Sequence, residues 1–227
     1  MNNDNIPIHI GIIMDGNRRW AKEKGKRTIE GHLAGANRII DLASYIFSKG
    51  VKYLSIYAFS TENFSRSEEE VKYLMNLIVK FFTERAKELD EKNMKIVFSG
   101  RKEPLSDKIY NVIQKVQDMT KNNTGGVLNI CLNYGGRTEI VDAVNKIANE
   151  GKKITEEEIS KNLYQELPDL DFVIRTSGEM RLSNFMLWQA SYAEFYFPST
   201  YFPDFDEKEF DKALEEYKNR HRRIGGN

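Results

Sequence analysis

An acidic residue, followed by a glycine and two nearby arginines, ends the first apolar run of the chain. Asp15 comes directly after His9–Met14 and is followed by Gly-Asn-Arg-Arg. A carboxylate in this position can hold Mg²⁺, which takes one or two carboxylates together with substrate phosphate oxygens. Gly16 permits a phosphate to approach the backbone closely, and Arg18 and Arg19 can make charged contacts with it. The segment predicts a metal-assisted phosphate site, with an ordinary turn and a solvated carboxylate as the alternative.

Three further loops place polar and basic side chains after an apolar run. Ser60–Arg66 lies at the end of the second run, Asn133–Arg137 of the fourth and Arg175–Asn184 of the fifth. Arg175 and Arg181 flank a glycine turn, which is a favourable place for an anion. Each of these arginines taken singly would more often be a surface charge. Their concentration in strand-end loops favours a shared anion site.

Two familiar phosphate motifs do not explain the first loop. Gly11 and Gly16 have the spacing of a P-loop, but Asn17 and Arg18 stand where that motif needs Lys and Ser or Thr. An apolar strand ending in Asp also occurs in phosphotransferases with an aspartyl nucleophile, but those usually carry a second acid at the position of Asn17. His32, which follows a glycine at an expected helix start, adds a further position for an anion.

The elements that must position these loops alternate along the chain. Short apolar runs rich in Ile and Val predict strands, and longer amphipathic stretches between them predict helices. The predicted strands are His9–Met14, Lys52–Ala58, Met94–Ser99, Val127–Asn133, Phe172–Arg175 and Glu194–Phe197. The predicted helices are His32–Lys49, Glu68–Lys92, Leu105–Lys121, Thr138–Glu150, Glu156–Tyr164 and Glu207–Arg222.

This alternation predicts one α/β domain over residues 1–227, built on a central, mainly parallel, six-stranded sheet with helices on both faces. Ligands of such sheets bind at the carboxyl ends of the strands, where the polar loops lie. The helix Glu68–Lys92 carries a wide apolar stripe that either faces the core or walls an apolar tunnel opening at the same end. Three helix starts are predicted as capping boxes. These are Ser67 with Glu70, Thr155 with Glu158 and Asp206 with Glu209.

Composition limits the classes of function. The 34 basic and 34 acidic side chains balance, so the net charge gives no reason to expect nucleic acid as a partner. Cys131 is the only cysteine and lies in an apolar run; we expect a small buried thiol and a reducing, cytoplasmic setting. The N-terminal residues have no apolar signal core, and no apolar stretch approaches the roughly 20 residues that span a bilayer. Membrane contact is therefore expected to be peripheral, at the inner face.

The ordered loops resemble the motifs of the cis-prenyltransferases, the undecaprenyl diphosphate synthase family. The resemblance runs from about His9 to Gly226, in segments of fixed order. The segments are His9–Ala21, Gly31–Gly35, Tyr57–Arg66, Asn133–Arg137, Ile174–Glu179, Arg181–Gln189 and Tyr192–Phe197. The resemblance implies a Mg²⁺-dependent enzyme that condenses isopentenyl diphosphate with an allylic diphosphate, farnesyl diphosphate being the expected primer. The implied product is a polyprenyl diphosphate such as undecaprenyl diphosphate, for the cell-wall lipid carrier.

The resemblance also implies roles for individual residues. Asp15 and Glu194 would bind Mg²⁺, and Asp15 and Asn63 would be catalytic, with Asn63 near the proton that is lost. The residues expected to bind substrate are Gly16, Asn17, Arg18, Arg19, Trp20, Arg27, His32, Ser60, Thr61, Glu62, Phe64, Arg66, Arg175, Arg181, Leu182 and Ser183. Arg223 and Gly225 match a C-terminal Arg-x-Gly that reaches the partner's active site, which implies a homodimer.

The chain departs from the family pattern at three places. Arg18 stands where bacterial members usually have Gly, and Met180 where some have His. Thr28 stands where many members have Arg, with Arg27 displaced by one position. These departures leave primer and product length open, so a short-chain or branching cis-prenyltransferase with a plugged tunnel is an alternative.

Two rival classes are tested by motifs. A non-catalytic partner subunit of the same fold is disfavoured, because such subunits tend to lose the carboxylate and the arginine cluster. All the residues in question are present here, namely Asp15, Arg19, Arg175, Arg181 and Glu194. The helical trans-prenyltransferases are excluded because the chain has no Asp-Asp-x-x-Asp motif.

Overall fold

A computed structural model describes residues 6–220, and the six predicted strands form one sheet. The strands are β1 (His9–Ile13), β2 (Tyr53–Ser60), β3 (Lys95–Ser99), β4 (Val127–Tyr134), β5 (Phe172–Arg175) and β6 (Glu194–Tyr196). Their order is β3-β4-β2-β1-β5-β6, and every neighbouring pair is parallel. The predicted parallel six-stranded sheet is confirmed. Because β1 has β2 on one side and β5 on the other, the loop after β1 lies where the chain changes direction across the sheet, the usual place for a ligand.

Helices of the described residues cover both faces of the sheet. They are α1 (Asn17–Glu23), α2 (Thr28–Ser48), α3 (Glu68–Glu91), α4 (Asp107–Thr120), α5 (Gly136–Asn149), α6 (Glu156–Asn162) and α7 (Glu207–Lys218). Short 3₁₀ turns lie at Thr61–Ser65 and Phe202–Asp204. The part of the last predicted helix that includes Arg222 falls outside the described residues.

The start of α2 corrects the prediction for His32. The helix begins at Thr28, so His32 lies one turn inside it and not at an N-terminus. The Glu30 carboxylate accepts a hydrogen bond from the Arg27 amide at 3.0 Å, which stabilises this earlier start. Gly31, interpreted from sequence as lying at the helix start, instead lets α1 and α2 approach each other. A Cβ at Gly31 would lie 2.1 Å from the carbonyl oxygen of Asn17.

In each predicted capping box, the hydrogen bond to the N-cap side chain forms. The side chains of Ser67, Thr155 and Asp206 each accept a hydrogen bond from the amide three residues later, as predicted. The acidic partners do not all bond back, because stronger partners are available to them. Glu70 bonds to an arginine, and Glu209 bonds to a lysine and a threonine.

The core lies in two layers on the two faces of the sheet, because successive strand residues point to opposite sides. Ile10 and Ile12 join the larger layer under α2, α3 and α7, while Ile13 joins a smaller one with Cys131. Full burial of each large apolar side chain contributes roughly 1.5–3 kcal/mol. Cys131 is fully buried and burial raises the pKa of its thiol, so the predicted buried thiol is confirmed.

The two halves of α3 are buried to different degrees. Phe82, Ala86 and Leu89 in the C-terminal half are buried in the larger layer. The N-terminal half is only partly buried and packs on a small cluster around Phe59 and Leu132. Among residues 6–220, no helix is both long and apolar enough to cross a bilayer.

Candidate active site

The Asp15 carboxylate is held by charged and backbone donors at the end of β1. Its Oδ2 accepts a hydrogen bond from Arg175 Nη2 at 2.9 Å. Its Oδ1 accepts from Arg19 Nη2 at 3.2 Å and from the Gly16 amide at 2.7 Å. Burial alone would raise the pKa of Asp15, but the hydrogen bond and charge of Arg175 outweigh it and hold the pKa below its usual value. Asp15 is therefore an ionised carboxylate with its orientation fixed.

The backbone around Asp15 is fixed by Thr176 on the neighbouring strand end. The Asp15 amide donates to Thr176 Oγ1 at 3.0 Å, and that hydroxyl donates to the Asp15 carbonyl at 2.7 Å. Gly16 follows with φ of +99°, a left-handed conformation that favours glycine. A Cβ at Gly16 would also lie 2.6 Å from the ring of Tyr201. The first loop therefore needs glycine at this position for two separate reasons.

Arg175 organises the loop after β5. Its side chain is 6% exposed, and Nη1 donates to Ser183 Oγ and to the Arg181 carbonyl, both at 2.6 Å. Its Nε is buried and has no hydrogen-bond partner among the described residues. One guanidinium thus links Asp15 to Ser183, a geometry that needs the planar fork of arginine.

Arg19 donates to the other oxygen of the Asp15 carboxylate, Oδ1. Its Nη2 lies 2.5 Å from Ser177 Oγ, and its Nη1 lies 3.0 Å from Glu179 Oε1. Glu179 also accepts from Arg181 Nη1 at 2.5 Å, so the guanidinium of Arg181 is directed at this glutamate. The two predicted arginines therefore make different contacts. The Arg175 side chain donates to Asp15, and the backbone carbonyl of Arg181 accepts a hydrogen bond from Arg175.

Two arginines and a histidine surround Glu70 at the start of α3. The Glu70 carboxylate lies 2.9 Å from Arg66 Nη1, 3.5 Å from His32 Nε2 and 3.8 Å from Arg18 Nη1. The His32 contact is at ion-pair range and is not a hydrogen bond. Burial and then the charge of Arg66 lower the pKa of His32, while Glu70 opposes them. The imidazole is therefore neutral at neutral pH.

The 3₁₀ turn after β2 forms another part of the site. The Ser60 amide donates to Asn63 Oδ1 at 3.1 Å, and both residues line the cleft. Thr61 and Glu62 do not line it; Glu62 accepts from Thr61 Oγ1 at 3.1 Å. Phe64 packs edge-on against Phe59, with ring centroids 4.9 Å apart, in the small apolar cluster under α3.

These groups surround a cleft of about 220 Å³ at the carboxyl ends of β1, β2 and β5. Its lining residues are Ile13, Met14, Asp15, Asn17, His32, Tyr57, Ala58, Ser60, Asn63, Arg66, Leu74, Arg175 and Ser183. A neighbouring basic hollow shares several of them and adds Gly16, Arg18 and Arg19. Most of the predicted substrate and catalytic residues are thus brought together, with cations on one wall and apolar side chains on another.

Several predicted residues lie apart from the cleft. Arg27 is exposed and pairs with Glu30, and Trp20 lies under Lys26, whose Nζ is 5.9 Å from the ring centroid. Leu182 packs against the smaller core layer. Their predicted substrate contacts, like those of Thr61, Glu62 and Phe64, stay predictions.

Glu194 does not join Asp15 within one chain. It pairs with Phe172 in the register of β5 and β6, and Phe172 pairs with Ile10 of β1. Asp15 lies five residues beyond Ile10, roughly 16 Å further along the strand direction. The Glu194 carboxylate accepts instead from Arg220 Nη1 at 2.9 Å. Arg223 and Gly225 lie outside the described residues.

The fit of the site to Mg²⁺ rests on Asp15 alone. Its carboxylate is ionised and lines the cleft, as a magnesium ligand must. No group of three or more acidic, His or Cys side chains within residues 6–220 is arranged to hold a metal. Since Mg²⁺ usually keeps one or two carboxylates and completes its shell with phosphate oxygens and water, Asp15 fits this ion in the presence of a diphosphate.

Sequence reasoning assigned no role to several residues of the site. Glu70 was interpreted only as part of a capping box; its ion pair with Arg66, which precedes the N-cap Ser67, depends on the extended backbone at Arg66 and is not a helical i,i+4 pair. Tyr57 lies in the cleft and its hydroxyl is 3.3 Å from the Ser183 carbonyl, a contact between distant loops that no local pattern signals. The hydrogen bonds of Thr176 to the Asp15 backbone also join distant parts of the chain, and no local pattern signals them.

The fold and the cleft define a class: an α/β protein whose cleft, at the carboxyl edge of a parallel sheet, suits an anionic, partly apolar molecule. Similarity to known proteins gives the family. The family model described as "Putative undecaprenyl diphosphate synthase" matches residues 13–225. The isoprenyl transferase of Fusobacterium nucleatum is 52% identical over 223 residues, which cover 98% of this chain and 97% of that protein. The chain belongs to this family and is a prenyltransferase.

Two solved structures share the fold. The crystal structure of lavandulyl diphosphate synthase from Lavandula x intermedia, in complex with dimethylallyl diphosphate, has a TM-score of 0.94 and 36% identity. It covers 98% of this chain and 100% of that one. A probable undecaprenyl diphosphate synthase from Campylobacter jejuni has a TM-score of 0.85 and 31% identity, covering 99% and 100%. The predicted family and the predicted parallel-sheet fold are confirmed, and the apolar tunnel stays a prediction.

Proposed function

We propose that this prenyltransferase condenses isopentenyl diphosphate with an allylic diphosphate, with farnesyl diphosphate as the expected primer. The product is a polyprenyl diphosphate such as undecaprenyl diphosphate, for the lipid carrier of cell-wall synthesis. The observation that carries the proposal is the Asp15–Arg175 pair, set in a cleft that has cations on one wall and apolar side chains on another. Such a cleft suits a molecule with a diphosphate head and a hydrocarbon tail.

The reaction breaks the C–O bond of the allylic diphosphate, joins the freed carbon to isopentenyl diphosphate, and releases a proton and inorganic diphosphate. Negative charge grows on the leaving diphosphate, and the fixed guanidinium groups of Arg19 and Arg175 would stabilise it. Asp15 would hold Mg²⁺, which when bound supplies further neutralisation of that charge. Asn63, whose Oδ1 accepts from the Ser60 amide, would lie near the proton that is lost.

The apolar wall of the cleft protects the reacting carbon. A carbocation-like carbon needs a dry surrounding, because water would capture it. Ile13, Ala58 and Leu74 line the cleft at this wall, and Leu74 belongs to the half-buried part of α3. This incomplete burial supports the predicted apolar tunnel beside α3, along which a growing chain would extend.

A second candidate is a short-chain or branching prenyltransferase that uses the same site. The structural similarity to lavandulyl diphosphate synthase, whose structure contains dimethylallyl diphosphate, favours it. The two candidates differ in the space available to the tail and not in the diphosphate site.

We propose that the enzyme is a homodimer in the cytoplasm that contacts the inner membrane face peripherally when it releases a long product. Glu194 pairs with Arg220, close in sequence to Arg223 and Gly225. This placement supports a joint action of Glu194 and the C-terminal Arg-x-Gly at the active site of the partner subunit, where Glu194 would supply the second carboxylate for Mg²⁺.

The test uses purified protein with Mg²⁺, labelled isopentenyl diphosphate and either farnesyl or dimethylallyl diphosphate. Chromatography of the extracted products gives chain length. Long products from farnesyl diphosphate support the main proposal, and a single condensation with dimethylallyl diphosphate supports the second candidate. Absence of incorporation with every allylic primer, under conditions where a known synthase works, would refute both.

A further inference from the structure

Asn184 joins three loops that meet at the carboxyl edge of the sheet. Its side-chain Nδ2 donates to Glu62 Oε1 at 2.8 Å, on the turn after β2. Its Oδ1 accepts from the Arg137 amide at 2.9 Å, and its backbone carbonyl accepts from the Gly136 amide at 2.7 Å, both at the start of α5. Its own loop, after β5, carries Ser183.

The conformation of Asn184 suits asparagine specifically. Its φ is +66° and that of Ser183 is +48°, left-handed values that asparagine tolerates better than most residues. Close packing accommodates the side chain, because a Cβ at Gly135 would lie 2.8 Å from Asn184 Nδ2. The loop therefore holds an uncommon backbone geometry at Ser183, which contacts Arg175, and at Asn184 beside it.

The hydrogen-bond partners fix the amide orientation. The Arg137 amide can only donate, so it requires the side-chain oxygen of Asn184, and the Glu62 carboxylate then receives the NH₂ group. Burial would raise the pKa of Glu62, but its hydrogen bonds, including that from Asn184, hold the pKa below the usual value. Aspartate at position 184 would still accept from the Arg137 amide, but its carboxylate would lie next to that of Glu62 and the two would repel each other.

We propose that Asn184 is a positioning residue for the diphosphate site. It ties the Ser183 loop, and through it Arg175 and Asp15, to the turn that carries Ser60 and Asn63. The link runs through the carboxylate of Glu62, which accepts the hydrogen bond from Asn184. This inference rests on the proposed function of the cleft.

The test compares Asn184→Asp, Asn184→Ala and the double variant Asn184→Asp with Glu62→Gln. Asn184→Asp should lower kcat/KM for isopentenyl diphosphate by about tenfold to hundredfold, since small misplacements of catalytic groups have effects of this size. In the double variant, the new amide at position 62 can donate to the new carboxylate at position 184, so most of the lost activity should return. Such a return distinguishes positioning from general loss of structure.

Asn93→Asp is the matched control. Asn93 also has a left-handed φ, of 57°, and its side chain both donates to Thr124 Oγ1 and accepts from the Thr124 amide, far from the cleft. Its variant should lose a similar amount of thermal stability and keep kcat/KM.

Three outcomes would overturn the inference: Asn184→Asp as active as wild type, a double variant no better than Asn184→Asp, or an equal loss in Asn93→Asp. If Asn184→Asp does not fold, Asn184→Ala against Asn93→Ala decides in the same way. A wild-type protein without incorporation would refute the proposed function itself, whereas an active wild type with an unaffected Asn184→Asp refutes only this inference.

Discussion

Arg175 Nη2 lies 2.9 Å from Asp15 Oδ2, and the two residues lie at the ends of neighbouring parallel strands. The register pairs Ile13 with Arg175, so Asp15 projects just beyond the point where the guanidinium begins. With Arg19 on the other oxygen, one carboxylate is shared by two guanidinium groups. The two guanidinium groups carry more positive charge than this one carboxylate neutralises, which favours binding of an anion at this end of the sheet.

Replacement of Asp15 by Asn should lower turnover by at least about a hundredfold, because the ligand charge for Mg²⁺ and the fixed counter-charge for Arg175 are both lost. The measurement is incorporation of labelled isopentenyl diphosphate at saturating Mg²⁺. The shape of the side chain is kept, so unfolding should remain cooperative by circular dichroism. Turnover near that of wild type in a folded Asp15→Asn protein would contradict the role given to this carboxylate.

Arg175→Lys should raise KM for the diphosphate substrates and lower kcat, each by about tenfold or more. A lysine has one charged nitrogen and cannot reach Asp15, Ser183 and the Arg181 carbonyl with a planar fork. Steady-state kinetics with varied isopentenyl diphosphate measures both constants.

Arg101→Lys provides the control for this substitution. Arg101 also makes a two-pronged contact, donating to the carboxylate oxygens of Asp142 at 2.6 and 2.8 Å, away from the cleft. It should lose stability without a change in KM. Equal kinetic effects in the two variants would show that Arg175 acts only on the fold.

The sequence predicts the sheet well because its strands are short and apolar and the inner ones are largely buried on both faces, a pattern with few alternatives. It also predicts that Asp15 and Arg175 meet, since parallel strands bring their carboxyl ends to one edge. It does not predict α1, because no Ser, Thr or Asp caps that helix and its stability comes from packing on α2 at Gly31.

Tertiary partners explain the remaining differences in the site. The local pattern at Ser67 assigns Glu70 to a capping box, but Arg66 and His32 lie within reach of its carboxylate and a charged partner is stronger than an amide. The separation of Asp15 and Glu194 depends on the register of β5 and β6, which alternation of apolar residues does not fix.

Glu70→Gln should bind inorganic diphosphate about threefold to tenfold more tightly than wild type, measured by calorimetry at low ionic strength. The Glu70 carboxylate competes with a diphosphate for Arg66, Arg18 and His32, and the amide keeps its shape without its charge. Glu69→Gln is the control, because it removes an equal charge from the exposed neighbouring position. Binding by Glu70→Gln no tighter than by Glu69→Gln would contradict this competition.

His9 should make the protein less stable in acid. Its ring is fully buried, with Nδ1 2.7 Å from the Pro168 carbonyl and Nε2 2.8 Å from Ser55 Oγ, and burial lowers its pKa from 6.5 to about 4. Because the carbonyl can only accept, Nδ1 carries the proton and Nε2 accepts from the Ser55 hydroxyl, as a neutral imidazole.

The unfolded chain binds a proton below pH 6.5 while the folded chain does not, so stability present above pH 6.5 is lost as pH falls toward 4. The loss is about 1.4 kcal/mol per pH unit, or about 3 kcal/mol in all. Urea unfolding of wild type and His9→Gln at several pH values measures it, since His32 contributes equally to both proteins. Parallel pH dependence of the two proteins would show that His9 is not the group responsible.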